Sequence, residues 1–159
     1  MTKYETISLW LYAIQSVVLI IVLVVYAKQL AAMREQVAAA RSGSIGQNLL
    51  ELSNFLQAED VREARRVVIE KLPNRDMTSW SAEETSAAAK VCSSYGTAGV
   101  VVETGAVPID AVIEHWGPSI RRCHGILEPF IRDRQRLNGA TYWAVFDRLF
   151  ALADKALKT

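Results

Sequence analysis

Between Ile7 and Ala27 the chain carries no charged side chain, and this constrains its fold more than any other feature. At about 1.5 Å per residue, residues 7–27 cover roughly 31 Å of helix, the thickness of a hydrocarbon core. The β-branched run from Val17 to Val25 is a mediocre helix in water. In lipid an unpaired backbone group costs several kcal/mol, so helix is the one local solution. Trp10 and Tyr12 stand near one end and Tyr26 near the other, as side chains with an apolar body and a polar tip do at headgroup level. A cleaved signal peptide is the competing assignment. The apolar run is longer than the usual signal core, however, and only Lys3 precedes it as a cation. A retained transmembrane helix is the expectation.

Charge sorts around this segment. Of 18 basic and 17 acidic residues, only Lys3 and Glu5 precede it. Lys28, Arg34 and Arg41 follow it, and the excess of cations on that side predicts a cytoplasmic C-terminal part in the cell membrane. The remainder is close to neutral, which excludes the global basic field of a nucleic-acid binder. Its two cysteines, Cys92 and Cys123, lie on apolar helix faces far apart in sequence. They are read as free, buried thiols.

The expected organisation is a short tail (1–6), a transmembrane helix (7–27), a juxtamembrane stalk helix (28–44) and a soluble helical domain (45–159). In the stalk, Leu30, Met33, Val37 and Ala40 recur at spacings of three and four as a narrow apolar stripe. After Ser42-Gly43-Ser44 the stripe resumes in a shifted register at Ile45, Leu49, Leu52 and Leu56. Such a stripe either packs on its own domain or self-associates; Met33 and Val37 are the candidate contacts for a homo-oligomer. Gln15, the amide inside the apolar stretch, is tolerated or bonds to a partner transmembrane helix.

Helical periodicity continues to the end, with no sustained alternation of the strand type. Asp60–Leu72 is expected to turn Ala64, Val67 and Val68 inward and Arg62, Glu63, Arg65, Arg66 and Glu70 outward, with Arg66 and Glu70 paired. Ser81-Ala82-Glu83-Glu84 is a capping box opening a helix that reaches about Glu103, with Gly105 as its stop. Gly96 and Gly99 suggest a close helix crossing there. A short helix from Pro108 to Trp116 should end at Gly117-Pro118, and the next should be kinked or restarted by Pro129. A last helix from Ala140 to about Leu157 should pack Tyr142, Phe146, Leu149, Phe150 and Ala153. The fold class is therefore all-α: a transmembrane helix continuing into a stalk, then an irregular bundle of about four to six helices.

Several of these residues resemble a known family. His115-Trp116-Gly117-Pro118, Leu127-Glu128-Pro129-Phe130-Ile131 with Arg134, and Trp143, Phe146 and Leu149 are similar to a bacterial family of uncharacterised, membrane-anchored helical proteins defined by a domain of unknown function. The resemblance covers roughly residues 45 to 153 and the N-terminal anchor. It implies a helical fold and a bacterial source, and it transfers neither an activity nor a site.

No catalytic, cofactor or metal set emerges from the sequence. Cys123 and His124 are helix neighbours and point about 100° apart, which separates them as ligands. His115 is explained by the dipole at an expected helix C-terminus. There is no Gly-x-Ser-x-Gly elbow and no phosphate-binding loop. Between Pro118 and Gly139, Arg121, Arg122, Arg132, Arg134 and Arg136 face only Glu128 and Asp133. Arg132 and Arg136 share a helix face, either solvated and internally paired or meeting acidic lipid or protein. The expected function is a non-enzymatic, membrane-anchored accessory or scaffold subunit that binds another membrane protein or complex. The alternative is a self-assembling membrane sensor or effector.

Overall fold

The structure, a computed structural model, describes residues 3–158, with side-chain surroundings from residue 15 onward except residue 38. Five α-helices make up the described chain: α1 (Lys3–Gln57), α2 (Glu59–Lys71), α3 (Ala82–Glu103), α4 (Ile109–Asn138) and α5 (Ala144–Ala156). A 3-10 turn, Met77–Ser79, precedes α3, and no strand occurs among the described residues. The all-α expectation holds: a long apolar N-terminal helix continues into a helical bundle.

The chain divides into two compact units, Met1–Gly43 and Ser44–Thr159. The first is helix from Lys3 onward, including residues 3–6, where the sequence suggests a tail. The side chains of Lys3, Trp10 and Tyr12 fall outside the described set. An 18-residue window of α1 reaches a mean hydropathy of 2.2, long and apolar enough to cross a membrane. Ser42-Gly43-Ser44 does not interrupt the helix, because an interior glycine, here Gly43 and again Gly46, costs only about 1 kcal/mol.

In the second unit α3 packs against α2, α4 and α5, and α2 also meets α4. The core joins Leu52 and Leu56 of α1 to Val68, Val91, Tyr95, Ile120, Leu127, Phe146 and Leu149. Ser81 closes the expected capping box: the Glu84 amide donates to its hydroxyl at 3.1 Å, and its own amide donates to the Glu84 carboxylate at 2.9 Å. Gly105 ends the helix segment at φ 71°, a left-handed conformation that costs glycine little. Gly99 provides the expected close crossing, against Val145 of α5, whereas Gly96 faces open space.

Two boundaries differ from expectation. Helix α4 runs unbroken through Gly117, Pro118 and Pro129. A proline deprives the carbonyl four residues earlier of its partner, and here those carbonyls belong to Glu114 and Gly125, both exposed. Water can take the missing bonds, while the opposite face, with Ile113, Trp116, Ile120 and Leu127, stays buried. His115 consequently lies mid-helix, not at a C-terminus; its Nδ1 bonds to the Ala111 carbonyl at 3.0 Å. Helix α5 starts at Ala144, not Ala140, because Gly139 (φ 104°) and Trp143 (φ 54°) both adopt positive φ. Trp143 is held there by contacts with Phe130 and Tyr142, at ring separations of 5.5 and 4.5 Å. Tyr142 is exposed, not in the core.

Candidate functional site

Polar side chains gather between α4 and α5. His124, only 3% exposed, stacks on Phe150 at 3.9 Å and meets Phe146 edge-on at 5.1 Å. Its Nε2 donates to Asp147 Oδ1 at 2.8 Å. The second carboxylate oxygen of Asp147 accepts from Arg132 Nη1 and Gln135 Nε2, each at 2.8 Å. Burial pushes the Asp147 carboxyl pKa up, but the hydrogen bonds from His124, Gln135 and Arg132 outweigh it and hold the group below the usual value. The sequence reading only separates His124 from Cys123 as a ligand; the structure buries it as an anchor for α5.

The arginine face is resolved by the same two helices. Arg132 reaches Asp147 and also lies 3.9 Å from Glu128. Arg121 pairs with Asp154 at 3.1 Å, and Arg134 lies over the Phe130 ring at 5.1 Å. Arg136 bonds Asp133 one turn back at 2.6 Å and is otherwise open, its side chain 78% exposed against 51% for Arg132. Arg132 and Arg136 thus have different surroundings despite their shared spacing. Asp147 and Asp154, supplied from another helix, are the partners that a count within residues 118–139 misses.

A second polar cluster lies inside the bundle. Arg65 is 7% exposed, contrary to its expected place on the wet face of α2, and its guanidinium sits over the Trp116 ring at 4.8 Å. Its Nη1 is buried without a hydrogen-bond partner. The sequence held the signal: Val61, Arg65, Val68 and Leu72 follow one 4-3-4 stripe, and all four are buried. Arg66 bonds to Glu63 at 2.7 Å, not to the expected Glu70. Nearby, Tyr95 donates to Ser119 at 2.7 Å. Burial pushes the Tyr95 phenol up to about 12 and the Cys123 thiol up to about 11. Burial raises Cys92 as well. Both cysteines are free and buried, so at neutral pH they stay protonated and poorly nucleophilic. Among the described residues no three His, Cys, Asp or Glu side chains converge as a metal-ligand set.

Apolar surface gathers elsewhere. Within the second unit, the last turns of α1 and the second turn of α4 enclose an open groove of about 370 Å³, lined by Leu49, Leu50, Ser53, Gln57, His115 and Trp116. Leu50 is 62% exposed beside it. In the first unit Gln15, Met33 and Val37 are all exposed.

No family model matches this chain, and no curated protein or solved structure matches it significantly.

Proposed function

We propose that this is a non-enzymatic, membrane-anchored accessory or scaffold protein whose helical domain binds a partner protein at the cytoplasmic face of the cell membrane. The groove at Trp116 carries this reading. It combines a tryptophan wall and exposed Leu50 with a rim of Ser53, Gln57 and His115, the apolar centre and polar margin of a helix-accepting surface. Leu50 offers the exposed apolar contact, and the largely buried Trp116 supplies the rigid wall it stands beside. The anchor is supported by the length and hydropathy of α1. The cytoplasmic side is supported by Lys28, Arg34 and Arg41 beyond the apolar stretch.

Purification of the tagged full chain from its native membranes in mild detergent tests the reading. A membrane protein should co-purify with the wild type and be lost from Leu50→Glu, whose melting temperature should match the wild type because Leu50 is exposed. A wild-type chain that purifies without a partner, or a partner retained by Leu50→Glu, contradicts it.

A further inference from the structure

The stalk contains three large apolar side chains between Lys28 and Gly43, namely Leu30, Met33 and Val37. They are 54, 61 and 67% exposed. Most of α1 is exposed, so exposure alone selects no face; chemistry and spacing do. All three fall on one 3-4 repeat, which extends back through Leu23 and Tyr26 and forward to Ala40. Since α1 is one unbroken helix, these six residues form a single seam with the 3.5-residue period of a left-handed coiled coil. Past Gly43 the large apolar residues move to a different register, and Leu52 and Leu56 there enter the domain's own core. The change of register assigns successive parts of α1 to different partners.

We infer that this seam pairs with the same seam of a second copy of the chain, in parallel and in register. The flanking charges select that occupant and orientation. With Leu30 and Val37 at the first core position of each heptad, Arg34 and Arg41 fall on one flank, Gln29 and Gln36 on the other, and Lys28 and Glu35 face away. In a parallel pair each arginine meets a glutamine amide of the other copy and no like charges oppose. In an antiparallel pair arginine would face arginine. A membrane anchor enforces the parallel choice, because two copies inserted the same way present identical stripes at identical depth. A different protein would have to supply a matching stripe at that depth. Sixteen residues of isolated helix are marginal in water, and pairing gives this segment the tertiary contact that stabilises helix. The inference rests on the membrane reading above but not on the domain's partner.

Cysteine scanning of the full chain in native membranes tests it, with single substitutions from Gln29 to Arg41 and mild oxidation. The native thiols are buried, and the wild type measures their background. A homodimer band should appear with Leu30→Cys, Met33→Cys, Val37→Cys and Ala40→Cys, and stay at background with Ala32→Cys, Glu35→Cys and Ala39→Cys. Same-position crosslinks along the whole stripe require parallel, in-register copies; an antiparallel pair would give them only near one crossing point. A flat pattern, or adducts to a different protein at the stripe, overturns the inference. Carbonate extraction of the same membranes separates the failures. A chain released by carbonate overturns the anchor and the register argument together. A retained chain with a flat pattern overturns the seam alone.

Discussion

Gly99 of α3 and Val145 of α5 meet so closely that a Cβ built on Gly99 would stand 2.6 Å from Val145 Cγ1 and 3.1 Å from the Val145 carbonyl oxygen. The side chain could rotate away, but the carbonyl belongs to the first turn of α5 and cannot. Three residues earlier in the same helix, a Cβ on Gly96 would touch nothing within 4 Å. Gly99→Ala should therefore destabilise the domain by about 1–3 kcal/mol through overpacking, despite the better helix propensity of alanine. Gly96→Ala should stabilise it by about 0.5–1 kcal/mol. Thermal unfolding of the two variants beside the wild type should give shifts of opposite sign.

Phe130 and Phe146 occupy different parts of the core. Phe146 stacks on Tyr95 at 5.3 Å, and Phe130 lies between Trp80 and Trp143 at 5.6 and 5.5 Å. Both are essentially inaccessible. Truncation of either to alanine should cost about 3–5 kcal/mol. Urea denaturation would reveal it as a lower midpoint with an unchanged slope. An unchanged midpoint in either variant would contradict its place in the core.

Arg132 and Arg136 should separate on charge reversal. Arg136→Glu should leave the melting temperature unchanged, because an open pair one helical turn apart adds little. Arg132→Glu places a carboxylate against Asp147 and removes one of the bonds that tie α4 to α5. It should cost about 1 kcal/mol or more. Equal shifts would mean that the α4–α5 pairing is not formed.

Asp147 should also make the domain acid-sensitive. Its folded pKa is depressed, so the stability it confers is present above its unfolded value, near 3.9. That stability is lost as pH falls through the lower folded value. Melting temperature followed downward from pH 5 should drop less steeply in Asp147→Asn than in the wild type. The variant should also be less stable at neutral pH. Parallel pH profiles would remove Asp147 from the acid response.

The sequence was most informative where the physics is local. Ser81 and Glu84 announce their helix start because both capping bonds span three residues. The helical pattern places Cys92 and Cys123 on apolar faces, and both are buried; the uncharged stretch marks the long apolar helix. It was misleading where a distant segment decides the outcome. Pro118 and Pro129 look like helix breaks until it is known that Glu114 and Gly125 are exposed and can give their carbonyls to water. Asp147 is fifteen residues from Arg132 and twenty-three from His124, beyond the reach of any single-helix pattern. Arg65 is the exception: its stripe was legible, but charge suggested the wet face, and the Trp116 ring that receives it lies on another helix.

The central claim, that α1 anchors this helical domain at the cytoplasmic face of a membrane, is tested most directly by a thiol placed at exposed Lys158. Cys92 and Cys123 are buried and should contribute little background. In intact cells an impermeant maleimide should leave the Lys158→Cys chain unlabelled, and permeabilisation should expose it, with the chain resistant to carbonate extraction throughout. Labelling in intact cells would place the domain on the opposite side, and release by carbonate would show that α1 is not an anchor.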